Sequence, residues 1–179
     1  MFEIIGAQAG YWRRDLIAIT LALAVLFGVF LGNRPLTVPD EGRYAEIPRE
    51  MLVTGDYVTP HLNSIKYFEK PPFFYWVQSA SIRWVGLNEW GARIPNALFG
   101  LLGVLLTYSC ARLLYGRRTG LLSAMVLSTS VMYIGMTQMV TLDMTTAVLL
   151  AGALFSFILG NQTPPGRTRN LFMWAMYAC

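Results

Sequence analysis

Cysteine, histidine and charge are all scarce in this 179-residue sequence, which has two cysteines, one histidine and 13% charged residues. Each shortage removes a class of function. Cys110 and Cys179 both sit in apolar segments, so neither a disulfide framework nor a thiol-rich metal site is indicated. His61 has only Glu69 to pair with as a metal ligand, and two such residues do not specify a site. It reads as a surface residue. There is no glycine-rich phosphate loop, so a nucleotide is not expected. Soluble domains average roughly 25% charged residues. This chain, at 55% hydrophobic with mean hydropathy +0.46, is a membrane protein instead. Its net charge of +4 does not point to nucleic acid, because the basic residues form short clusters beside apolar runs rather than a stripe. No small-x-small cleavage motif follows the run after Arg13-Arg14, so a retained anchor is expected rather than a secretory signal. No repeat or low-complexity tract occurs. The sequon at Asn161 falls in a predicted cytoplasmic loop and reads as chance.

What the chain has is oil. Residues 16–32 carry no charge and are just long enough to cross ~30 Å of hydrocarbon. Further apolar runs cover 94–114, 121–140 and 145–159, and a fifth begins at 171. The predicted fold is therefore all-α and polytopic, and the chain reads as the N-terminal part of a longer membrane protein. Residues 73–87 are also apolar, but as a helix they reach only ~22 Å and contain Arg83. Parity settles their placement. If they do not span, Arg13/Arg14, Arg112/Arg117/Arg118 and Arg167/Arg169 all fall on the cytoplasmic side. They are read as an amphipathic helix in the outer interface, anchored by Trp76 and Trp84. The whole loop 33–93 and the turn holding Asp143 are then extracytoplasmic.

Residues 39–76 of that loop hold six of the ten acidic residues and the only histidine. A membrane protein that sets charge and aromatics against the bilayer surface there is expected to handle a charged substrate. Residues 42–54 predict a short helix, started by Asp40 or Glu41, ended by Gly55, and shortened or kinked at Pro48. Gly55-Asp56 signals a turn, and Lys70-Pro71-Pro72 sets an extended approach to the interfacial helix.

Several of these residues suit chemistry. Asp143 is the only acidic residue from Trp90 to the C-terminus, lying between two apolar runs, where a carboxylate is costly. It is either an N-cap for the next helix or a site residue, and the two roles are compatible. Asp40 and Glu41 either complement a helix dipole or serve as a base or cation-holding pair. Arg43 and Lys70 are basic residues where the positive-inside rule does not put them, and both suit a phosphate. Tyr44, Tyr67 and Phe68 are interface anchors or stacking surfaces for a sugar or a polyprenyl chain. Met132, Met136, Met139 and Met144 read as packing.

The combination of PDEGRYAEIPREMLVTGDYVTPHLN, IKYFEKPPFFYW, RIPNALFG and TLDM resembles the GT-C membrane glycosyltransferases of the PMT and ArnT type. Within that family the likeness is greatest to the undecaprenyl-phosphate-aminoarabinose transferases that modify lipid A, and it runs over essentially the whole chain. The resemblance implies a GT-C fold in a bacterial inner membrane, with the N-terminus cytoplasmic and the active site periplasmic. It implies a polyprenyl-phosphate sugar donor and a lipid A acceptor. By that resemblance Asp40 and Asp143 are the catalytic acids, and Arg43, Tyr44, Tyr67, Glu69 and Lys70 surround the lipid-phosphate pocket, with Lys70 on the phosphate; Glu41, beside Asp40, is expected among the substrate-binding residues. Glu69 matches a ligand of a structural zinc or other divalent cation whose histidine partner lies outside this chain. No other cofactor is required. A related hexose transferase acting on protein or another acceptor stays open. A transporter using Asp143 as a proton relay fits poorly, because its acids belong near the midplane on broken helices.

Overall fold

The computed structural model describes residues 2–179, with side chains from residue 11 onward. Eight helices and one small hairpin make up the described chain: α1 (Phe2–Gly28), α2 (Asp40–Thr54), β1 (His61–Leu62), β2 (Ile65–Lys66), α3 (Phe73–Val85), α4 (Glu89–Tyr115), α5 (Arg117–Thr129), α6 (Val131–Thr137), α7 (Leu142–Gln162) and α8 (Arg167–Ala178). The fold is all-α apart from that hairpin. Its strands pair His61 with Lys66 and Leu62 with Ile65. Asn63 and Ser64 both take positive φ, as a two-residue turn of this handedness demands.

Among the described residues, α4 and α7 are each long and apolar enough to cross a membrane. They enclose the apolar runs 94–114 and 145–159. The run 121–140 departs from the expected single span. It is two helices, α5 and α6, bent by 68° at Ser130, which sits in extended backbone between them. Side-chain bonding accompanies the break: the Tyr133 hydroxyl donates to the Gly100 carbonyl on α4 at 2.7 Å. Gly100 and Gly103 leave the room for Thr137 and Tyr133 to lie against α4, since a Cβ at either glycine would collide with them. The run 16–32 is helical only as far as Gly28 and continues through turns to Asn33.

Helix α3 corresponds to the predicted interfacial helix. Phe74, Tyr75, Gln78, Ser79 and Ile82 form its buried face, while Trp76, Arg83 and Trp84 are exposed. Thirteen residues reach only ~20 Å, too short to span. Helix α2 starts two residues earlier than expected and passes through Pro48 without being shortened. It stops at Gly55, whose left-handed φ of 74° lets its N–H cap the Met51 carbonyl.

Two apolar cores result. One packs α2, α3 and the starts of α4 and α7 through Ala45, Ile47, Met51, Phe74, Tyr75, Ala92, Val140 and Leu142. The other packs α1, α4 and α5 through Leu23, Phe27, Val104, Tyr108 and Ala124. Burial of Leu- or Phe-sized side chains contributes ~1.5–3 kcal/mol each in water. The first core underlies α2 and the residues Tyr44 and Tyr67, and so supports the candidate site.

Candidate active site

Arg93, in the second turn of α4, has no exposed side-chain surface and uses every one of its donors. Its Nε and Nη2 donate to Glu41 Oε1 and Oε2 at 2.9 and 3.0 Å. Nη1 donates to the carbonyls of Leu31 and Arg34, and Nη2 also to that of Pro35. A buried guanidinium is tolerable only when paired and fully bonded in this way. Glu41 is equally saturated. It accepts from the Thr37 amide and hydroxyl at 2.9 and 2.8 Å, from the Val140 amide at 3.0 Å, and from Arg34 at 3.3 Å. Burial works to raise its pKa, but the hydrogen bonds from Arg93, Thr37 and Val140 outweigh that and hold the carboxyl down at about 2.

This corrects the expectation that Glu41 binds substrate. It has no exposed surface and no uncommitted oxygen. Its role is to tie the start of α2, which carries Asp40, to the segment entering α7, which carries Asp143. Asn96, three residues after Arg93, completes the tie: its Nδ2 donates to the carbonyls of Met139 and Thr141. Gln138 adds a bond to the Phe27 carbonyl at 2.7 Å, and Arg34 returns one to the Gln138 carbonyl at 2.8 Å. Arg93 and Asn96 are the organising residues that sequence reasoning missed. The signal was present in RIPN: an arginine and an asparagine opening an apolar run need buried partners.

Around this frame five of the remaining candidates form one connected group. Asp40 is the first residue of α2 and is 62% exposed; it accepts from Arg43 Nη2 at 3.2 Å. The Arg43 guanidinium lies 5.9 Å from the Tyr44 ring centre. The Tyr67 phenol is the largest influence holding its charge above the ordinary arginine range. Tyr67 itself is positioned by its amide, which donates to the Pro60 carbonyl, and its hydroxyl donates to Glu69 Oε2 at 2.8 Å. Burial, then Glu69, pushes the Tyr67 phenol upward, so it stays a protonated donor. Asp40, Arg43, Tyr44, Tyr67 and Glu69 are thus linked by contact. Lys70 follows Glu69, half-exposed and without an ion-pair or hydrogen-bond partner among the described residues.

Asp143 sits in the first turn of α7, exposed, and is not the cap; Thr141 takes that position. It has no partner among the described residues. It is tied to the frame through the backbone before it, by the Val140–Glu41 and Asn96–Thr141 bonds. His61 pairs with Lys66 in the hairpin, while Glu69 accepts from Tyr67. Among the described residues no three His, Cys, Asp or Glu side chains gather as metal ligands. Glu69 alone does not make a metal site.

Chemically the group offers two exposed carboxylates at helix starts, an arginine and an unpaired lysine beside tyrosines. That set suits an anionic substrate at a membrane surface. Residues 69–178 match the family described as dolichyl-phosphate-mannose-protein mannosyltransferase. The undecaprenyl phosphate-alpha-4-amino-4-deoxy-L-arabinose arabinosyl transferase of Pectobacterium carotovorum is 37% identical over 170 residues, 94% of this chain and 30% of that relative. The enzyme of the same name from Erwinia tasmaniensis is 38% identical over 166 residues, 92% of this chain and 30% of that relative. The crystal structure of ArnT from Cupriavidus metallidurans bound to undecaprenyl phosphate superposes with a TM-score of 0.83 at 40% identity, covering 93% of this chain and 30% of that one. Its apo-state structure also gives 0.83, covering 95% and 31%. The chain spans about a third of the length of the curated relatives it matches. On the family match over residues 69–178 and the shared all-α membrane architecture, this chain belongs to the dolichyl-phosphate-mannose-protein mannosyltransferase family.

Proposed function

We propose that this chain forms the first spans and first outer loop of a membrane glycosyltransferase. The enzyme would move a sugar, 4-amino-4-deoxy-L-arabinose, from undecaprenyl phosphate to a phosphate of lipid A at the periplasmic face of the inner membrane. The observation that carries this is the Glu41–Arg93 pair with its Val140 bond, which draws the starts of the Asp40 and Asp143 helices into one frame beside Arg43, Tyr67 and Lys70. The arabinosyl transferase names of the relatives and the undecaprenyl phosphate bound to the Cupriavidus protein support the choice of donor.

The geometry suits that reaction. The polyprenyl tail stays in the bilayer and its phosphate lies at the outer interface, within reach of Lys70 and Arg43. As the bond between the sugar carbon and the donor phosphate breaks, the phosphate takes the electron pair and its charge grows. Fixed cations then help most in the transition state. The sugar carbon becomes oxocarbenium-like, and Asp40 or Asp143 stabilises or orients it. A phosphate acceptor is already anionic and needs little deprotonation, so Asp40 positions rather than abstracts. The residues present do not by themselves hold a metal, and no step here uses one; a zinc at Glu69 would need ligands from elsewhere in the full-length protein.

The orientation places the N-terminus, Arg117 and Arg118 in the cytoplasm. Asp15 supports it, because its carboxylate binds Arg112 and Arg117 at 2.8 and 2.7 Å and so keeps the start of the first apolar run and the α4–α5 turn on one side. The family description favours one second reading, a mannose-type polyprenyl-phosphate transferase with a protein acceptor. Both are tested by giving membranes with the full-length protein a labelled undecaprenyl-phosphate aminoarabinose or a labelled polyprenyl-phosphate mannose. Label in lipid A from the first donor is the expected outcome. Label in protein from the second selects the alternative, and transfer from neither removes the proposal.

A further inference from the structure

Tyr75 lies on the buried face of α3 with no exposed surface, and its hydroxyl has no hydrogen-bond partner among the described residues. A buried phenol normally finds one, because burial strips the hydroxyl of water. Packing alone does not account for a tyrosine here: phenylalanine would fill the same space without an unmet donor. The location supplies the reason. Tyr75 belongs to the core beneath the candidate site, and Tyr44 and Tyr67 pack against that same core. The charged and polar groups that act on its phenol are Tyr67, Tyr44, Glu69 and Arg43, all members of the site. Burial, the largest influence, pushes that phenol's pKa upward, so it remains a donor throughout the physiological range. The neighbouring donors are already committed, Tyr67 to Glu69 and Arg43 to Asp40.

We propose that Tyr75 is a further phosphate-binding residue, whose hydroxyl donates to an anionic oxygen of a polyprenyl phosphate when Tyr44 or Tyr67 gives way to the ligand. This rests on the reading of the Arg43–Lys70 group as a phosphate pocket. The physical sense is a division of labour. Half-exposed Arg43 and Lys70 supply charge that water weakens, whereas a neutral donor in the dry floor makes a bond that water does not compete for. That bond discriminates a phosphate from an uncharged polyprenol without burying a second cation.

The test uses the full-length protein in nanodiscs and two probes, undecaprenyl phosphate and uncharged undecaprenol. Tyr75→Phe is expected to weaken undecaprenyl phosphate binding roughly tenfold or more, the effect of losing a hydrogen bond to a charged group. Undecaprenol affinity should not change, and the unfolding temperature should be unchanged or higher. An equal loss for both probes would mean that Tyr75 only shapes the core, and would overturn the proposal. Unchanged phosphate affinity in Tyr75→Phe, alongside a clear loss in Lys70→Ala, would overturn it while leaving the phosphate pocket in place. If neither variant alters phosphate affinity, the pocket reading fails and Tyr75 fails with it.

Discussion

Arg93 and Arg112 stand at opposite ends of α4, nineteen residues apart, and each holds a buried carboxylate from a distant part of the chain. At 1.5 Å per residue that separation is about 28 Å, close to the hydrocarbon thickness. Arg93 takes Glu41 at one end, and Arg112 takes Asp15 at the other. The Arg112 guanidinium also lies 4.7 Å from the Trp12 ring centre. One helix therefore pins both ends of the first apolar run, and the Arg93 pin is the one that builds the candidate site.

Removing one partner of a buried ion pair leaves the other charge without compensation, which costs about 3–5 kcal/mol. Arg93→Ala and Glu41→Ala should each lower the unfolding temperature of the full-length protein sharply or abolish its folded yield, as read by thermal denaturation and size exclusion in detergent. The double variant Glu41→Leu/Arg93→Met should be less damaging than the two single losses added together. Strict additivity would mean the pair is not the hub described here.

The same pair predicts a pH response. Glu41 is held at about 2 against an ordinary value of 4.5. A depressed carboxyl contributes stability that is fully present above the unfolded value and lost as pH falls through the folded one. The wild-type unfolding temperature should fall between about pH 4.5 and pH 2 through this group. Glu41→Gln should start lower and fall less over that window. Parallel curves for the two proteins would show that Glu41 is not the linked group.

Asp40 and Asp143 are exposed, so their roles separate cleanly from folding. Asp40→Asn and Asp143→Asn should each reduce turnover at least ~10²-fold while leaving the unfolding temperature within a degree or two, typical of groups that act in the transition state. Near-normal sugar transfer by either variant would reduce that residue to a complement of its helix dipole.

Lys70 has no partner to lose among the described residues, so Lys70→Ala should leave stability intact. It should weaken donor binding and lower kcat together, because the cation acts on both states and more on the transition state. Lys70→Arg should recover only part, since a planar fork is not a point charge. Steady-state kinetics with a labelled donor give both numbers, and a change confined to KM would move Lys70 away from the leaving phosphate.

For orientation, single cysteines at Ser64 and Arg118 should label from opposite faces of sealed vesicles, Ser64 from the outside. Labelling of both from one side would reverse the parity argument that makes α3 interfacial.

Hydropathy and turn chemistry were readable along the chain because both act between near neighbours. The apolar runs 94–114 and 145–159, the short amphipathic stretch after Lys70-Pro71-Pro72, and the stop at Gly55 all declare themselves within a few residues. The candidate site residues in DEGRY and YFEK stood out for the same reason: charge and aromatics contrast with oil. Three things were decided only by tertiary structure. Glu41 is committed to Arg93 and Val140, 52 and 99 residues away, and no local pattern encodes such a pairing. The break at Ser130 accompanies the close approach of α6 to Gly100 and Gly103 of α4, a long-range contact that no local pattern announces. The buried, unpaired hydroxyl of Tyr75 is likewise invisible in sequence. A tyrosine beside a phenylalanine reads as one more apolar residue until packing shows which of its atoms has been denied water.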